Sequence, residues 1–114
     1  MTLHVGPARY TAAGTVTFAR YGSGEIAMQI INAHGERECV ATVSLVPCGA
    51  EHPGEYGVWL KDWSENDGIA DALVKAGVVT LTGKTHIASR HVVARHAQLT
   101  AAAIGELNAA SGDA

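Results

Sequence analysis

Apolar and polar residues alternate with period two over three successive stretches in the first half of the chain. In TVTFARY, Val16 and Phe18 alternate with Thr15, Thr17 and Ala19, the pattern of a strand with one buried face. In EIAMQII, Ile26, Met28 and Ile30 share a face, and in ECVATVSLV, Ala41, Val43 and Leu45 do. GSGE and NAHGER, between them, hold the Gly and Asn residues that tight turns use. The pattern predicts an antiparallel meander with one dry face. PCGAEHPGE then interrupts regular structure, and 46–55 reads as one long mobile loop.

YGVWLKDW resumes a strand, with Tyr56, Val58 and Leu60 on one side and Trp59 and Lys61 on the other. The period then changes. Ile69, Ala72, Leu73 and Ala76 recur at helical spacing, Ser64 or Asn66 is placed to cap, and Gly77 ends the run. A helix of about ten residues is too short to stand alone and must pack on the sheet. Val78, Val79 and Leu81 return to extended structure, SRHVVARHAQL supplies a last strand, and an Ala-rich helix begins near Thr100. The expected class is α+β: an antiparallel sheet of about four or five strands packed against one short helix, with a short C-terminal helix. Its 114 residues make a single domain, with 1–12 and 109–114 expected to be loose at the ends.

Composition adds three constraints. A 47% hydrophobic and 17% charged chain can bury a core, but one Phe, two Trp and three Tyr leave that core to small aliphatic side chains. Modest stability, or support from a second copy in a homodimer, follows. No apolar run reaches the roughly 20 residues of a membrane span, and MTLHVGPARYT lacks a signal-peptide pattern. A cytoplasmic location is therefore expected, with Cys39 a buried thiol in a strand and Cys48 the more reactive one in the loop.

The net charge of −3 disfavours general nucleic-acid binding, and its distribution is uneven. Residues 51–71 carry Glu51, Glu55, Asp62, Glu65, Asp67 and Asp71 against Lys61 alone, whereas 84–96 carry Lys84, Arg90, Arg95, His86, His91 and His96 with no acid. Internal pairing, a homodimer contact or a two-signed surface for a partner would each account for this split.

The candidate chemical motifs are weak. Thr82-Gly83-Lys84-Thr85 ends like a phosphate loop, but Val78 stands where the leading glycine belongs and HIASRHVVARH is a poor helix start. The tetrapeptide reads as a turn. His91 and His96, five apart, do not converge locally, and Cys48-x-x-x-His52 has no second short-spaced pair, so no metal or other cofactor is expected. Cys48, Glu51 and His52 have the residue types of a thiol nucleophile and base, though in a Pro/Gly loop.

The block from Trp63 to Lys84 resembles small uncharacterised domains carried by phages, plasmids and other mobile elements. Their pattern is an Asn-x-Gly helix start, Leu-x-x-x-Gly and then Thr-Gly-Lys/Arg, met here by Asn66, Gly68, Leu73, Gly77, Thr82, Gly83 and Lys84. The resemblance covers residues 59 to about 99; it departs where Ser89-Arg90-His91-Val92 replaces a usually apolar stretch. It implies a non-enzymatic interaction protein, most concretely an inhibitor of a host defence complex of the anti-CRISPR type, acting by protein–protein binding.

In that reading the contact acids are Glu55, Asp62, Glu65, Asp67 and Asp71, with Trp59 or Trp63 as aromatic anchor. The alternative is a nucleic-acid binder using Lys84, Arg90, His91, Arg95 and His96. A small Cys/His enzyme built on Cys48 and His52 is the third class.

Overall fold

The computed structural model describes residues 3–8, 11–90 and 92–110, and of Glu65 only the backbone. The class is α+β; the described residues form seven strands in two antiparallel sheets and two α-helices. The first sheet has the order β1 (His4–Val5), β2 (Gly14–Arg20), β3 (Ile26–Ile31), β4 (Arg37–Val40). In its centre Val16 faces Ile30 and Phe18 faces Met28, so the alternation seen in the sequence becomes one buried face. Met28 and Ile30 are fully buried. Part of the segment expected to be loose is tied down, since His4 and Val5 pair with Thr15 and Gly14 and Val5 is buried.

The second sheet has the order β5 (Gly57–Leu60), β7 (Val92–Leu99), β6 (Val79–Ser89). β6 and β7 thus pair as two long antiparallel strands, where the sequence suggests a short strand, a turn and one last strand. The third meander strand is also shorter than its alternation implies, ending at Val40. Ala41 then donates to Met28 O of β3 (2.8 Å) and accepts from Lys61 N (2.8 Å), while Val43 N bonds Trp59 O beside β5 (3.0 Å). Residues 41–43 therefore stitch one sheet to the other, and a single expected sheet becomes two.

Two helices pack on the sheets. α1 (Ile69–Lys75) packs against β1 and β6, and α2 (Ala101–Ala110) against β2 and β7. The main core combines Ile30, Leu60, Ile69, Leu73, Val79 and Leu107. A smaller cluster of Leu45, Ala50, Trp59 and Ala94 lies on the other face of the second sheet.

The N-terminus of α1 is satisfied from a distance. Gly68 is the cap residue, and Asp62 Oδ1 accepts the N–H groups of Gly68 and Ala70, both at 3.1 Å. Neither Ser64 nor Asn66 makes the expected cap, because Asn66 is buried and its Nδ2 donates to Val40 O and Lys61 O instead. Gly77, at φ 77°, ends the helix in the left-handed conformation the sequence suggests. The 46–55 segment carries a short 3-10 turn, Val46–Cys48, and is fastened at Glu51 O, which accepts from Trp59 Nε1 (3.1 Å).

Candidate functional site

The β6–β7 hairpin has two faces with different fates. On the core face the cross-strand pairs are Leu81 with Ala97, Thr85 with Arg95 and Ile87 with Val93. Ala97 is buried in the main core, whereas Ile87 and Val93, the next pair on this face beyond Arg95, are 71% and 46% exposed. The apolar stripe of the sheet therefore runs past the cover that the body of the protein provides. Arg90, exposed at the turn, Lys84 and Arg95 edge this stripe with positive charge. No acidic residue lies on β6 or β7.

On the opposite face His96 is 5% exposed and packs edge-on against Trp59, ring centroids 5.2 Å apart, with His86 tilted at 5.8 Å. The Nε2 of His96 donates to Pro53 O at 2.7 Å, since a carbonyl can only accept, and Nδ1 meets Thr82 Oγ1 at 2.7 Å. His96 thus clamps the loop before β5 onto the sheet. It is not part of a basic surface, and of that expected set only Lys84, Arg90 and Arg95 remain toward solvent; His91 lies outside the described residues.

The acids fare similarly. Asp62 is committed within the chain, to the N-terminus of α1 and through Oδ2 to Arg95 Nη1 at 3.5 Å. Glu51 sits 3.8 Å from Lys84. The two charge blocks of the sequence thus meet each other in the fold. Glu55 and Asp71 are exposed, Asp67 is half-buried, and the Glu65 side chain lies outside the described residues. Trp59, 3% exposed, is a core residue rather than a surface anchor, and Trp63 is half-buried beside it.

One further carboxylate is withdrawn from water. Glu25 is 4% exposed and accepts from Ser23 Oγ (2.9 Å), Ser44 Oγ (2.7 Å), Leu45 N (3.3 Å) and Val46 N (3.2 Å). Burial pushes its pKa up, but these four donors outweigh that and hold it below the ordinary value. The group braces the β2–β3 turn against the start of the 3-10 turn, so its role is architectural.

Thr82-Gly83-Lys84 is a bulge within β6, not a turn. The pairing passes from Leu81–Ala97 to Thr85–Arg95, leaving three β6 residues opposite His96 alone. Gly83 takes φ 87°, which only glycine adopts without strain. The bulge opens a cleft of about 180 Å³ lined by Leu81, Gly83, Lys84, Thr85, Arg95 and His96. In the loop, Cys48 is exposed, and His52 Nδ1 accepts Gly54 N–H at 3.0 Å, a local bond that occupies the nitrogen a base would use.

No protein family, curated protein or solved structure matches the chain. Ile87 and Val93 escaped notice in the sequence because exposure depends on where the covering elements stop. Their signal was the basic, β-branched run from Lys84 to Arg95, too polar at its edges for a buried strand.

Proposed function

We propose that this chain is a non-enzymatic protein-binding module, docking through the free half of the β6–β7 hairpin. The observation that carries the reading is the exposed Ile87–Val93 pair, a cross-strand apolar contact near the far end of the β6–β7 ladder. Paired strands present such side chains with little ordering cost on binding. The rim of Lys84, Arg90 and Arg95 defines the occupant: a protein surface apolar at its centre and acidic around it. A second copy offers the same basic rim and would bring like charges together.

The resemblance of residues 59–99 to mobile-element domains supports a finer reading, in which the partner belongs to a host defence complex. The acidic route to such a partner loses support, because Asp62 and Trp59 are committed inside the fold. Nucleic acid is a poorer fit, because the net charge is −3 and His96 of the expected basic set is buried.

The test is an affinity capture from bacteria with active defence systems, after nuclease treatment, comparing wild type with an Ile87→Ser/Val93→Ser variant. Capture of a defence-complex protein by wild type, and its loss in the variant, is expected. Equal capture by both proteins removes the hairpin from the mechanism. Recovery of nucleic acid alone overturns the protein-binding reading.

A further inference from the structure

The Thr-Gly-Lys-Thr bulge, whose Lys84 also stands on the rim of the docking patch, opens a cleft lined by two cations, Lys84 and Arg95. From its geometry we infer that this cleft binds a compact phosphate monoester, by a route unrelated to nucleotide loops. Among the described residues Thr82, Gly83 and Lys84 have no ladder partner on β7, which frees the backbone there from sheet pairing. Gly83 at φ 87° turns the chain out and carries no side chain to fill the space. Lys84 and Arg95 both line the opening, and Thr85 adds a hydroxyl.

Neither cation is consumed. The Lys84–Glu51 contact, at 3.8 Å between side chains 61% and 70% exposed, is a weak surface pair that an anion can displace. Arg95 gives Asp62 one contact, at 3.5 Å, of the five N–H donors a guanidinium carries. Asp62 lies to one side of the guanidinium, and Arg presents its fork well to tetrahedral oxyanions. His96 forms the floor, with both ring nitrogens already bonded. About 180 Å³ accommodates four phosphate oxygens and a bridging water, at roughly 30 Å³ per water-sized group.

A monoester fits better than a polyanion. Lys84, once Glu51 is displaced, and the free donors of Arg95 can converge on one compact anion, whereas the chain's net charge of −3 opposes an extended phosphate backbone.

The test is an amide chemical-shift titration of isotope-labelled protein, with inorganic phosphate as probe and sodium chloride at matched ionic strength as control. Parallel arms use a phosphoserine peptide and a short oligonucleotide. Saturable shifts confined to Gly83, Lys84, Thr85, Arg95 and His96 are expected with phosphate. Lys84→Ala should weaken the binding about tenfold and Lys84→Arg restore most of it. Tighter binding of the peptide than of free phosphate assigns the source to a phosphorylated side chain, and the reverse assigns it to a small molecule. Shifts that are non-saturable, spread to Lys61 and Lys75, matched by chloride, or unchanged in Lys84→Ala overturn the site. So does tighter binding of the oligonucleotide than of either monoester. Ile87→Ser/Val93→Ser should leave phosphate binding intact, which separates this inference from the docking patch.

Discussion

Replacing Glu25 with Ala removes the acceptor at which the β2–β3 turn and the 45–46 backbone meet. Ser23 and Ser44, whose hydroxyl oxygens are 3.0 Å apart, can satisfy each other. The N–H groups of Leu45 and Val46 cannot, because Leu45 is itself buried and their acceptor is gone. Two donors left unsatisfied, each at about 1–3 kcal/mol, put the destabilisation near 3 kcal/mol. In a domain of this size that lowers Tm by about 12 °C, taking about 4 °C per kcal/mol. Glu25→Gln, which keeps one acceptor oxygen, should lose about 2 kcal/mol. Urea titrations followed by circular dichroism at neutral pH measure both.

The pH dependence is the sharper check. Glu25 titrates below its ordinary value of 4.5 in the folded state, so between the two values the unfolded chain holds more protons and stability climbs with pH. The gap between wild type and Glu25→Gln should be constant above the ordinary value and close as pH falls through the depressed one. A Glu25→Ala cost below about 1 kcal/mol, or a gap indifferent to acid, refutes the network as described.

Three other substitutions probe separate features. Asp62→Ala should cost about 2 kcal/mol by uncapping α1 and freeing Arg95, and Asp62→Asn, which retains the accepting oxygen, less than half of that; equal losses in thermal melts would count against capping. Gly57→Ala drives a Cβ into the backbone carbonyl of Pro53 and to 2.9 Å from His96 Nε2, so about 3 kcal/mol should be lost, with Trp59 fluorescence reporting the disturbed clamp. Ile87→Ser/Val93→Ser should cost no more than about 1 kcal/mol, because Ile87 is mostly exposed and Val93 about half so; a larger loss in denaturant titration would show that the patch is part of the core.

What the sequence made legible is what depends on neighbours along the chain. The Ile26–Met28–Ile30 alternation, the division of Val58 and Leu60 from Trp59 across a strand, and the Gly77 stop all reappear in the structure. What it hid depends on partners far away. Asp62 caps α1 from outside any local capping pattern, and it meets Arg95 from 33 residues away. Glycine and lysine in succession have the same local chemistry in a turn and a bulge; only the register against β7 distinguishes them. The stitching of two sheets by residues 41–43 is likewise a property of pairing. For the same reason only the fold chooses among the alternatives for the charge blocks, by pairing Lys84 with Glu51 and Arg95 with Asp62.

The edge of β6 has a consequence for the protein at high concentration. Open strand edges invite another chain to add on, and a long Thr-rich strand is good material for it. Here the ladder is broken twice, between Leu81 and Thr85 and again between Ile87 and Ser89, leaving only Thr85, His86 and Ile87 in unbroken register on the outer half. Lys84 and Arg90 bracket that remnant, so two copies aligned antiparallel about Ile87 would place Lys84 opposite Arg90 at each end. The hairpin can thus leave oily side chains in water on its face while its rim refuses to seed a fibre.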